Sequence, residues 1–130
     1  MVVSDILELT GDAFHLSEIT LASRVEPLEE VVDDLIEELR ERHLNRMLKG
    51  TCDVQCGIEY QNILVHLERI SDQCSDLAVY LLGMTDDNIH GREHQYLHNL
   101  HHSDDEEYQT RFHSNYLKYH HMLDEISADE

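Results

Sequence analysis

Apolar residues recur three and four positions apart over nearly the whole chain, the spacing of one face of an α-helix rather than of alternate sides of a strand. Leu21, Val25, Leu28, Val32, Leu35 and Leu39 step by four, three, four, three and four, and Tyr60, Ile63, Leu67, Ile70, Cys74, Leu77 and Leu81 repeat the pattern. One Pro and five Gly are too few turn formers for a fold of many hairpins. The spacing therefore predicts an all-α chain, and 130 residues suffice for one core.

Val3, Ile6, Leu7, Leu9 and Phe14 mark a first amphipathic segment that begins abruptly, as the remainder of a longer helix would. A long helix is expected from Ser17 to Lys49, kinked or restarted at Pro27. Gly50 supplies a stop, and Thr51 or Asp53 can cap a second long helix to about Leu82, packed antiparallel to the first. Residues 84–102 read as a His-rich linker with a short helix around Arg92 to Leu100. Ser103 and Glu106 form a capping-box signature for a last helix within residues 103–130. Its stripe of Tyr108, Phe112, Tyr116, Tyr119, Leu123 and Ile126 is suited to the bundle or to a neighbouring protein.

Nine Lys and Arg against 28 Asp and Glu leave a net charge of -19, which removes the cationic surface that nucleic acid requires and repels an anionic membrane. Apolar runs are only a few residues long, far short of a membrane span, and the start MVVSDILELTGDAF lacks a signal-peptide pattern. Three cysteines fit reduced thiols in a cytoplasmic setting. Cys52 and Cys56 share a helix face near a helix start, half of a zinc site at most, while Cys74 sits in the apolar seam.

On the first long helix Glu29 and Asp33 lie one turn apart beside the apolar seam, whereas Glu30 and Asp34 fall opposite it. On the second, Glu68, Asp72 and Asp76 stack at intervals of four, an arrangement that repels unless a metal ion or a cation such as Arg69 offsets it. Two such faces brought together by antiparallel packing supply oxygen ligands for a hard cation. Spacing alone fits a solvated acidic surface equally well. The basic run Arg40, Arg42, Arg46 and Lys49 complements the helix dipole or meets an anionic partner. His90, His94, His98 and His102 recur every four residues, with His101 adjoining, which suits either a solvated linker or a chelating face. His43 and His66 are expected as interior or boundary residues.

The stretch from Val25 to Leu82 resembles the second half of the PhoU-like domain carried at the C-terminus of bacterial sodium-dependent phosphate cotransporters. The resemblance rests on VEPLEEVVD, on RERHLNRMLKGTC, and on LERISDQCSDLA, which is similar to the family's ERxxDHxxN signature. It implies a PhoU-like bundle built on a three-helix core over residues 1–83, with an acidic residue followed four later by Asp on each of two helices. Carried over residue by residue, that motif falls on Glu29 and Asp33 and on Glu68 and Asp72. Gln73 and Asp76 stand where the family has His and Asn, so Asp76 becomes a fifth carboxylate ligand. The implied cation is iron, zinc, manganese or magnesium.

The resemblance further implies a non-catalytic regulatory module of phosphate uptake, at the inner face of the plasma membrane as part of a sodium/phosphate transporter or in trans on a phosphate-signalling protein. One bundle is absent relative to the family, which implies a homodimer. A metal-free helical adaptor or dimerisation module is the alternative. No Glu has His three residues later, which leaves ferritin-like redox chemistry without its ligands, and no phosphate loop, nucleophile elbow or zinc-protease motif supports another enzyme class.

Overall fold

The computed structural model describes residues 1–101 and 103–128; His102, one of the regularly spaced histidines, and residues 129–130 of the expected tail lie outside them. Among the described residues the chain forms six helices and no strand: α1 (Val2–Leu16), α2 (Ile19–Ala22), α3 (Val25–Leu48), α4 (Val54–Gly83), α5 (Glu93–His101) and α6 (Glu106–Ala128). The two longest pack antiparallel, as the short connection between them demands.

The single helix expected from Ser17 to Lys49 is instead divided. Ser17 adopts a left-handed conformation with φ 52°, and the amides of Ser17 and Glu18 donate to the carbonyls of Phe14 and Ala13, a Schellman stop for α1. After the single turn of α2 the chain restarts, because in a continuous helix the Pro27 ring would clash with the carbonyl of Ser23. In the first turn of α3, Pro27 loses no intrahelical bond. Gly50, at φ 69°, ends α3 with the same pair of bonds, here from Gly50 and Thr51 to Met47 and Arg46. Asp53 then caps α4 by accepting from the Cys56 amide at 3.4 Å.

α3 is central and packs against α1, α4 and α6. For that reason its buried set is wider than one seam and includes Val31 and Ile36 beside Val25, Leu28, Val32 and Leu35. The seam expected on α4 is displaced by about one residue along the middle of the helix. Ile63 and Leu77 are 57% and 48% exposed, while Leu64, Ser71, Cys74, Ser75, Ala78 and Val79 are buried. His66, expected near the interior, is exposed, whereas His43 is buried beside Tyr60 and the backbone of Gly57.

α5 lies within the expected linker and packs on α4, with Tyr96 and Leu97 against the main core. The start of α6 differs from the expected capping box. Ser103 donates back to the Leu100 carbonyl at 2.8 Å, and Asp105 accepts from the Tyr108 amide at 2.8 Å, so Asp105 is the cap. α6 runs parallel to α3: Tyr108 meets Glu30, His120 meets Glu38 at 2.9 Å, and Asp124 meets Arg42 at 3.1 Å. Its aromatic stripe therefore covers the bundle, and Glu30, expected on an open surface, receives the Tyr108 hydroxyl.

Leu64 is 2% exposed, so Leu64→Ala is expected to lower unfolding free energy by about 2 to 5 kcal/mol, whereas Ile63→Ala should change it by about 0.5 kcal/mol or less. Urea unfolding of both variants checks the register of α4, and equal losses would reject it.

Candidate metal centre

Antiparallel packing sets the first half of α3 against the second half of α4. Glu29 and Asp33 follow one another by one turn on α3, and one carboxylate oxygen from each lies within 4.8 Å of the other and of an oxygen of Asp72 on α4. Glu29 is 6% exposed; Asp33 and Asp72 open to solvent. Three of the five expected ligands thus converge, with one at the protein side of the group and two at its mouth.

Burial holds the Glu29 carboxyl far above its ordinary range, at about 10, and the charges of Glu26 and Asp33 push it the same way. In that state Glu29 keeps its proton beside Asp33 and Asp72. Asp33 is raised to about 6, first by burial and then by the charges of Asp72 and Glu68. These shifts record the repulsion expected when anionic groups share a poorly solvated site. A multivalent cation held there would relieve it, with the three oxygens as the available ligands and the Glu29 proton given up.

Glu68 and Asp76 stand apart from the trio. The Glu68 carboxylate is engaged by the Arg40 guanidinium, which also lies 3.8 Å from Glu37. The offsetting cation on the α4 stack is therefore Arg40, reaching across from α3, rather than Arg69. Asp76 is exposed and joins no group of three ligating side chains among the described residues. Two further members of the basic run, Arg42 and Arg46, are also used internally. Arg42 pairs with Asp124 at 3.1 Å, and Arg46 lies 5.5 Å from the centre of the Tyr60 ring.

Sequence reasoning missed Glu26. It is 4% exposed, accepts the Ser75 hydroxyl on one oxygen and meets His101 Nε2 on the other. Its position one turn after Ala22 and beside Pro27, at the buried start of α3, was the available signal. The evenly spaced tail histidines do not form one helix face, because His90 precedes α5. Of the described histidines in that segment, His101 is the one brought to the acidic site.

A carboxyl raised on folding stabilises the protein fully below its ordinary value, and that contribution is lost as pH rises toward the folded value. For Asp33 the loss runs from about 4 to 6 and for Glu29 from about 4.5 to 10. The melting temperature of the metal-free protein is therefore expected to fall between pH 5 and pH 9, and Glu29→Gln should flatten that decline. A variant that declines as steeply as the parent would remove Glu29 from the account.

Comparison with known proteins agrees with the helical bundle. No curated protein and no solved structure matches the chain. The family model described as PhoU domain matches residues 1–81, well over half of the chain and reaching back through α1, beyond the stretch from which the resemblance was drawn. The matched span holds both helices that carry the carboxylate trio, and the chain belongs to the PhoU domain family.

Proposed function

We propose that this chain is a non-catalytic regulatory module of phosphate uptake that binds a multivalent cation through Glu29, Asp33 and Asp72. The buried Glu29 carboxyl, held against two further carboxylates, is the observation that carries the reading. Glu68 and Asp76 complete the ligand set only by leaving their present positions, in the case of Glu68 by releasing Arg40. Carboxylate oxygens suit magnesium and manganese, and also iron and zinc.

The charge balance links the cation to phosphate. A surface of net charge -19 repels a phosphate anion, while a cation fixed by carboxylates on one side keeps open positions for its oxygens. PhoU domains belong to phosphate homeostasis, and a sodium/phosphate cotransporter or a phosphate-signalling protein is the partner that follows from the resemblance of Val25 to Leu82. No described helix is long and apolar enough to cross a membrane.

One surface favours self-association as a second element of function. Ile63, Ile70 and Leu77 recur every seven residues on α4, and the first and last are 57% and 48% exposed. Heptad spacing keeps them along one side of the helix, where a second copy can bury them. This is the arrangement a dimerisation module needs, with or without a metal.

Magnesium should raise the melting temperature of the parent protein and of a His94→Ala/His98→Ala variant, but not of Asp72→Asn. In cells with a sodium/phosphate cotransporter, the parent chain should shift the rate of phosphate uptake and Asp72→Asn should not. Metal-independent melting rejects the cation site, and unchanged uptake rejects the regulatory role. Sedimentation should give a dimer for the parent chain and a monomer for Leu77→Glu; a monomeric parent rejects the α4 interface.

A further inference from the structure

Next to the carboxylate trio, and sharing Glu29 with it, lies a second set of donors of different chemistry. His101 offers Nε2 from the end of α5, and one oxygen each from Glu26 and Glu29 lies within 4.8 Å of that nitrogen and of the other. Both acids are more than nine-tenths buried, at 4% and 6% exposure. His101 faces Glu26, and Glu29 adds a second buried carboxyl group that a bound cation would take as a carboxylate.

The surroundings are organised as they are around ligands. Ser75 donates to Glu26 and so fixes its carboxylate. Tyr108 stacks on the His101 imidazole with centroids 6.3 Å apart, and its hydroxyl is anchored on Glu30. Such outer partners hold the rotamers of metal ligands. Ser71 precedes Ser75 by one turn on the same side of α4; it is fully buried, and its Oγ has no hydrogen-bond partner among the described residues. A buried hydroxyl normally has a partner.

We infer that Glu26, Glu29 and His101 form a second cation site, for a divalent first-row transition metal, which shares Glu29 with the Glu29–Asp33–Asp72 group. The inference rests on the metal reading of that group only through the shared carboxylate. An imidazole ligand selects zinc, iron, nickel or copper over magnesium and calcium, and two carboxylates complete a set common for zinc and iron. The metal takes the place of the proton between His101 and Glu26. The nitrogen ligand comes from α5, beyond residue 81 where the family match ends, so this site belongs to the appended tail as much as to the matched domain.

The test is a zinc titration of the full chain in a His94→Ala/His98→Ala background, followed by bound zinc per chain and by the imidazole nitrogen resonances. Two equivalents are expected in that background, one in His101→Gln and one in Asp72→Asn, with the His101 Nε2 resonance shifted by zinc in the background and in Asp72→Asn. Excess magnesium should not reverse that shift. One equivalent, lost in Asp72→Asn and kept in His101→Gln, overturns the second site and leaves the first. One equivalent with the opposite pattern supports the His101 site and rejects the carboxylate trio. An unmoved His101 resonance in the folded parent overturns the inference whatever the variants do, and no bound zinc overturns both sites.

Discussion

The hydroxyl of Ser75 donates to Glu26, and around this contact α3 and α4 meet with two carboxyl groups inside the bundle. Glu26 and Glu29 flank Pro27 and Leu28 in the opening turns of α3, where the helix is buried nearly all round. A bulky apolar partner there would strand both acids without a donor, at a cost of several kcal/mol. The facing side of α4 is therefore small and partly polar, with Ser71, Ser75 and Ala78 in place of leucines. Small residues let the two helices approach closely, and the Ser75 hydroxyl gives Glu26 something to bond.

The same constraint explains what sequence periodicity could and could not reveal. The two long helices and the α3–α4 turn follow from steps of three and four with Gly50 and Asp53 at the junction, and these are present, although the first long helix is divided before Val25. The inward face of α4 was misplaced because its serines look like surface residues, while Ile63 and Leu77, which look like core, form an apolar stripe that this fold leaves open. Glu29 and Asp33 were legible as a pair because their place beside the seam follows from helix geometry. Glu26 was not, since a charged residue at the start of a helix ordinarily faces water and complements the dipole. Whether Glu68 belonged to the group depended on Arg40, and a contact between residues on separate helices has no local signature.

The tail was hardest to place, for a physical reason. Its histidines invite a reading in which all share one face, but the face exists only within α5, and that helix starts at Glu93. What decides the role of His101 is the turn at Ser103 to Asp105, which stops α5, redirects the chain into α6 and leaves the imidazole over Glu26. Aromatic spacing did locate α6, and its pairing with α3 is parallel, register by register from Tyr108 to Asp124.

That pairing poses a question of composition: what kind of helix can cover one as acidic as α3? A stripe of Leu and Ile would gain apolar burial but leave Glu30 without the Tyr108 hydroxyl, whereas Lys and Arg would neutralise the acids while contributing little to a core. Tyr and His satisfy both demands, since each offers a ring to bury and a donor at its edge. Tyr108 and Tyr119 are 4% and 6% exposed, and their hydroxyls end on Glu30 and on Asp5 at 2.6 Å. Burial and the neighbouring carboxylates hold both phenols above their ordinary range, which keeps them as donors to those carboxylates. The aromatic stripe of α6 is thus the counterpart of the small polar face of α4. Both are ways of packing against an anionic helix without exposing it to the cost of its own charge.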